Sequence, residues 1–265
     1  MSDNEPVRIE AAGDVTTITI DRPERRNALG SEAAQAVADA LAIASRSSRV
    51  IILTGAGEAF CAGGDLDELQ RWSTLEPEDI SGVLYRSFQQ MIRNIRNSPA
   101  VVIAAINGAA VGAGMDLALA CDLRVASEEA RLGQVWVRLG VIPGTGGAWL
   151  TQALAGPTKA AELLLTGELI DGREALAAGL INRVVAGERL LDEARALAQM
   201  ILRNPRDGVI ANKRAMVAAS EMGLEAALEH AARVQPERFT SDEFRAAVST
   251  ARERPQPDTA KGVEE

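Results

Sequence analysis

The stretch VVIAAINGAAVGAGMDLALACDLRVA (Val101–Ala126) decides the fold. It opens on an apolar run, Val101–Ile106, with the Val and Ile content of a buried strand. A loop of Gly and Ala follows, then an expected helix over Gly114–Cys121, and Asp122–Ala126 returns as a strand. Strand, glycine loop and helix in direct succession indicate an α/β chain. Upstream, VIILTG (Val50–Gly55) is a second buried run, and AFCAGGDL (Ala59–Leu66) is a second Gly/Ala loop. With no Cβ, or only a methyl, such loops leave main-chain N–H groups open to an approaching oxygen. Two loops that meet in space would aim a pair of donors at one oxygen, the geometry of an oxyanion hole. GAGMDL also echoes a dinucleotide fingerprint, but no acidic residue ends a following strand in the βαβ setting that fingerprint needs.

Further out, VTTITI (Val15–Ile20) reads as a strand that ends at the charged turn Asp21–Arg26. Ser31 is placed to cap a helix running to about Arg46. A helix is expected from Leu66 or Asp67, and an amphipathic one over about Glu78–Asn97, stopped by Pro99. Gly144–Gly147 opens another helix, and Leu180–Val185 is the last expected strand. Beyond Glu188 the pattern is helical only: Leu190–Leu202, Asp207–Ser220, Leu224–Val234 and Asp242–Arg252, separated at Pro205 and Pro236. The expected organisation is an α/β core over 1–187, a helical region over 188–254 and a disordered tail over 255–265.

Bulk composition narrows the chemistry. Of 265 residues only 3% are aromatic, so the core must be built from Ala, Leu, Ile and Val. A net charge of −9 argues against a nucleic-acid partner, which calls for a basic stripe. No apolar run approaches the roughly 20 residues of a membrane span, so no membrane partner is expected. The N-terminus is polar and acidic, unlike a targeting peptide. Cys61 and Cys121 offer neither a disulfide framework nor metal-ligand spacing, which fits the cytoplasm. His230, the one histidine, lies in an amphipathic helical pattern. Histidine triads and His-ligated metals therefore lack material, and no metal or cofactor is expected. Backbone donors and carboxylates are left to do the work.

Five motifs now fall in order: DRPERRNAL (Asp21–Leu29), FCAGGDL (Phe60–Leu66), the block Val101–Ser127, LGVIPGTGGAWL (Leu139–Leu150) and LLTGELIDGREALAAGLINRVV (Leu164–Val185). In this order the chain resembles the crotonase family, also called enoyl-CoA hydratase/isomerase, over roughly Val15–Val234. The resemblance implies a spiral of β-β-α units with a helical C-terminal trimerisation region, and a homotrimer or a hexamer of two trimers. It implies an acyl-CoA thioester as substrate, with coenzyme A present only as part of it. By motif position, the N–H groups of Gly64 and Ala113 would hold the thioester oxygen, with Gly112 beside them. Asp116 falls where the family's hydratases keep a catalytic glutamate and some dienoyl-CoA isomerases an aspartate. Trp136 departs from the hydratase pattern, which has its second catalytic glutamate there. A dehalogenase branch also carries Trp at this position, with an aspartate where this chain has Gly144.

The chain thus offers one carboxylate and a tryptophan beside the hole, an arrangement suited to double-bond isomerisation more than to hydration. Hydrolysis, C–C cleavage or non-catalytic acyl-CoA binding would use the same hole. Arg25 and Arg26 are either a solvated turn or a border of the CoA phosphates. Ala28, Ala62 and Leu66 would line the adenine and pantetheine path, Asp65 would hold its own loop, and Trp136, Pro143 and Gly144 would wall the acyl pocket. Lys213, in the expected C-terminal helices, is either a phosphate contact or a solvated lysine. Asp67, Glu68, Glu78, Asp79 and Glu237 are candidates for a replacement acid, and Cys61 is expected to be an inert buried thiol.

Overall fold

Aliphatic and β-branched runs set the strands of the computed structural model, which describes residues 5–253. β1 (Val7–Ala12) and β2 (Val15–Ile20) form an antiparallel hairpin across Gly13. α1 (Ser31–Ser47) turns Ala34, Val37, Ala38, Leu41 and Ala44 inward at helical spacing. β3 (Val50–Gly55), buried at every position, leads through β4 (Ala59–Cys61) into α2 (Leu66–Trp72). α3 (Pro77–Val83), a π-helical turn over Leu84–Phe88 and α4 (Gln89–Asn97) follow.

The strand-strand-helix unit then recurs as β5 (Val101–Ile106), β6 (Ala109–Val111) and α5 (Ala113–Ala120). A third unit comprises β7 (Leu123–Ser127), β8 (Arg131–Gly133) and α6 (Gly147–Thr166). α6 kinks where Gly156, at φ 75°, precedes Pro157. β9 (Leu169–Asp171), α7 (Gly172–Ala177), β10 (Arg183–Val185) and α8 (Leu190–Leu202) complete this part.

Each unit sends its first strand to one sheet and its second to another. The six-stranded sheet has the order β1-β2-β3-β5-β7-β10, and the four-stranded sheet β4-β6-β8-β9. Pairing within β2-β3-β5-β7-β10 and within β4-β6-β8 is parallel. This is the expected spiral of β-β-α units. It places the end of β4 beside the end of β6, and so brings the two glycine loops together.

Several expectations change in detail. Gly30, not Ser31, holds the N-cap position of α1, and the Ser31 N–H donates to Glu68 Oε1 and Oε2 at 2.9 and 3.0 Å. The long helix over Glu78–Asn97 is broken by the π-helical turn, which buries Phe88 edge-on to Trp72. Only Arg183–Val185 of the last expected strand is extended in a ladder.

The chain divides into two compact units after Leu202, not at 187, because α8 packs on β3, β5 and β7. The second unit holds α9 (Arg206–Ala219), α10 (Leu224–Phe239) and α11 (Asp242–Glu253). Pro236 does not end α10. The helix runs on for three residues to Phe239, whose ring packs edge-on against Phe244. In these three helices only Lys213 is buried, while Leu224 and Phe239 are 78% and 52% exposed. Among the described residues no helix is long and apolar enough to cross a membrane. The tail expected to be disordered, 255–265, lies wholly outside the described residues.

Candidate active site

The site begins with one parallel strand pair. β4 and β6 pair through Ala59–Ala109 and Cys61–Ala110, and their following loops meet backbone to backbone. Gly63 adopts φ +101°, and a Cβ there would lie 2.8 Å from the Val111 carbonyl oxygen and 3.9 Å from the Ala113 nitrogen. A Cβ on Gly114 would lie 2.1 Å from the Cys61 carbonyl oxygen. Only glycine allows either approach.

The N–H groups of Gly64 and Ala113 are left over from this packing. Leu29 bridges to Gly64: its N–H donates to Gly63 O at 2.8 Å, and its carbonyl accepts from Asp65 N at 2.9 Å. A parallel bridge of this kind turns the Gly64 N–H to the opposite side. Ala113 is the first residue of α5, where an N–H has no partner within the helix. The preceding N–H, of Gly112, is already given to Gly133 O at 2.9 Å. Among the described residues neither Gly64 nor Ala113 N–H has an acceptor. Both stand beside the positive end of α5.

Asp116 sits in the first turn of that helix and is fully buried. Its Oδ1 accepts from Gln134 Nε2 at 2.8 Å, and its Oδ2 accepts from the Thr145 hydroxyl. Gln134 Nε2 also reaches Thr151 Oγ1 at 3.1 Å. Gly147 packs so closely that a Cβ there would lie 2.0 Å from Oδ1. Burial pushes the carboxyl up to about 6, against the opposing pull of Thr145, Gln134, Trp136 and the Gly147 N–H. The Trp136 indole N–H makes no geometric hydrogen bond, so its pull on the carboxylate is that of a nearby dipole. The indole ring covers Gly112, within 3.5 Å of where a Cβ would be. Trp136 Nε1 and Gln134 Oε1 are both buried without a partner.

The other expected residues fall into two groups. Around the first loop, Asp65 caps α2 by accepting from Asp67 N and Glu68 N at 3.1 and 3.3 Å. Arg25 donates to Asp67 Oδ2 at 2.6 Å and faces Asp65 at 3.3 Å, which raises its own pKa and lowers that of Asp67. Arg26 is exposed in a left-handed turn fixed by buried Asn27, which donates to Ala56 O and Ala59 O. Ala28 and Ala62 are half-buried, and Leu66 is exposed. Near the second loop, half-buried Pro143 and Gly144 lead into Thr145, with the Gly144 carbonyl held by Gln89 Nε2 at 3.0 Å.

The candidate replacement acids do not gather at Asp116. Glu68 holds the start of α1, Asp67 holds Arg25, and Glu78 and Asp79 lie in the exposed first turn of α3. Glu237 and His230 line a cavity of about 680 Å³ within the helical unit. Burial pushes the Cys61 thiol up to about 12, which leaves it protonated and unreactive. Reading the sequence passed over Gln134, Thr145 and Thr151. Gln134 and Thr145 carry only the signal of position, within Gly133–Trp136 and beside Ile142–Gly144, and Thr151 carries none; a threonine 29 residues from its carboxylate, as Thr145 is, has no other mark in the sequence.

Comparison with known proteins gives this arrangement its relatives. The family model described as enoyl-CoA hydratase/isomerase matches residues 10–261. A short-chain-enoyl-CoA hydratase of Clostridium acetobutylicum is 34% identical over 92% of this chain and 93% of its own length. A 1,2-epoxyphenylacetyl-CoA isomerase of Escherichia coli is 34% identical over 89% of this chain and 90% of its own. Among solved structures, an enoyl-CoA hydratase of Mycobacterium smegmatis superposes with a TM-score of 0.89, at 29% identity, over 96% of this chain and 99% of that one. With the spiral, the paired glycine loops and matches along nearly its whole length, the chain belongs to the enoyl-CoA hydratase/isomerase family.

Proposed function

We propose that the protein acts on an enoyl-CoA thioester, holding the enolate oxygen between the N–H groups of Gly64 and Ala113 while Asp116 carries the α-proton. The observation that carries this reading is the pair of unpartnered N–H groups set side by side by β4 and β6. Losing one donor of such a pair typically costs about 3 kcal/mol of transition-state stabilisation. A carboxyl near 6 has useful populations of acid and base at neutral pH. With Trp136 in place of a second acid, a single shuttle favours moving the double bond over adding water. The isomerase and the hydratase among the relatives are consistent with either outcome. Trp136, Pro143 and Gly144 would face the acyl group, and Arg25, Arg26, Ala28, Ala62, Asp65 and Leu66 the CoA. Action in the cytoplasm as a trimer or hexamer, joined through the helical unit, belongs to the same reading.

The test is α-proton exchange in D2O across a panel of enoyl-CoAs. Wild type should exchange, and Asp116→Asn should lose the exchange while keeping CoA-ester binding. A second reading has an observation of its own: Asp116 is fully buried and both its oxygens are taken. As a purely structural tie it would leave Asp116→Asn destabilised but exchanging at the wild-type rate.

A further inference from the structure

Four groups face the Asp116 carboxylate, and three of them turn a donor to it: Gln134 through Nε2, which also reaches Thr151 Oγ1, the Gly147 backbone N–H and the Trp136 indole N–H. The fourth, the Thr145 hydroxyl on Oδ2, both donates and accepts. A carboxyl proton placed on an oxygen that already receives N–H bonds would oppose those donors. Oδ1 has the Gln134 amide at 2.8 Å and Gly147 packed directly against it. With Gln134 Nε2 turned to Oδ1 and Thr151, the neutral acid fits with its proton on Oδ2 and Thr145 Oγ1 accepting. In the ionised form the bond reverses and Thr145 donates.

We infer that Thr145 is a positioning residue that holds the transferable proton of Asp116 on Oδ2 by switching its hydroxyl between donor and acceptor. This rests on the reading of Asp116 as the proton carrier. No bond within Thr145 breaks; the only proton exchanged with substrate is the one on Oδ2. The loop is built to keep the hydroxyl in place. Thr145 is itself buried, the Gly144 carbonyl before it is tied to Gln89, and Gly146 after it turns the chain at φ 88° into α6. An aspartate side chain is one methylene shorter than a glutamate, so its reach is limited, and the loop comes to it.

The other groups around the carboxylate do not titrate in the working range. Cys61, from β4, feels the Asp116 charge but is kept protonated mainly by burial, and Gln134, Trp136, Gly147 and Thr151 carry no charge. Thr145 is the largest of the influences that lower the carboxyl against burial. Its removal must therefore raise the Asp116 pKa further.

The experiment uses the full chain with Thr145→Val, Thr145→Ala and Thr145→Ser. Two readouts are taken: titration of the aspartate carboxyls by 13C NMR, with Asp116→Asn to assign the signal, and the pH profile of α-proton exchange. In the Val or Ala variant both the carboxyl titration and the acidic limb of exchange should move up together by about one pH unit, and Ser should restore them. A carboxyl titration that stays at the wild-type value in the folded Val or Ala variant, or that Ser does not restore, overturns the inference. A wild-type exchange rate in Asp116→Asn overturns the proton-carrier reading instead, and the NMR arm still decides what Thr145 holds.

Discussion

The two glycine loops present the same kind of donor and are supported in opposite ways. The second opens into α5, whose eight residues are all buried, with Asp116 tied by side chains of two other segments. The first opens into α2, which buries none of its residues and is held at the surface by Asp65, Arg25 and Glu68. One half of the proposed oxyanion hole is fixed by core packing and the other by polar ties at the rim. Core packing resists change in kilocalories, whereas exposed ion pairs hold weakly and yield to salt. If the two loops hold a thioester as proposed, the first is the half with room to adjust and the second the half that sets where the oxygen goes.

The sharpest way to break this contrast is to add the same methyl to both loops. Gly114→Ala puts a Cβ 2.1 Å from the Cys61 carbonyl oxygen, in rigid backbone with nowhere to move. It should lose about 3 kcal/mol or more, or fail to fold. Gly64→Ala meets only the end of the Leu69 side chain, at 3.0 Å, and its backbone needs no left-handed angle. It should fold with a loss below about 1 kcal/mol, the flexible leucine giving way. Urea denaturation of both variants measures the difference, and equal losses would remove the distinction between core-held and rim-held halves.

The second test uses pH. Burial raises the Asp116 carboxyl to about 6, above its ordinary 3.8, so between those values the folded state keeps a proton that the unfolded chain releases. The group's contribution is full below about pH 4 and is lost as pH rises through 6, by about 3 kcal/mol. Asp116→Asn has no such titration. Its stability relative to wild type should therefore improve by that amount between pH 4 and pH 7, as read from urea midpoints across the range. A constant difference would mean that Asp116 is not held neutral by the core.

A smaller effect is expected at the rim. Asp65→Ala removes the cap that accepts from Asp67 N and Glu68 N, which is worth about 1 kcal/mol. Hydrogen exchange should localise the loss to α2 and leave α5 protected.

The same contrast separates what the sequence reveals from what it hides. β3 and β5 are six-residue aliphatic runs, and a run of that length announces a buried strand. β4, β6, β8 and β9 have three residues each, too few to show a period, yet they form the sheet that joins the loops. Gly64, Ala113 and Asp116 could be singled out because they lie within glycine-rich motifs next to strong strands. Thr145 and Gln134 could not, because their importance lies in a contact made across the fold. Glu68 looked like a spare acid and proved to hold α1, since nothing local to Glu68 signals a helix start 37 residues away.

The smallest stability effect belongs to Arg25. It is exposed, and of its two partners at the start of α2 Asp67 is exposed and makes the shorter contact, while buried Asp65 lies farther off. Arg25→Ala should leave the urea midpoint unchanged within error, because water and salt screen such a pair. Its effect should appear only with substrate. If the rim is where the CoA phosphates rest, the variant raises KM for the CoA ester with little change in kcat, and the increase shrinks as salt is added. A phosphate must then compete with Asp65 and Asp67 for the same guanidinium, so Asp67→Asn should lower KM where Arg25→Ala raises it. Equal KM values in wild type and both variants would show that Arg25 serves α2 alone. The rim would then be a structural clasp, with the substrate held from the core side of the hole.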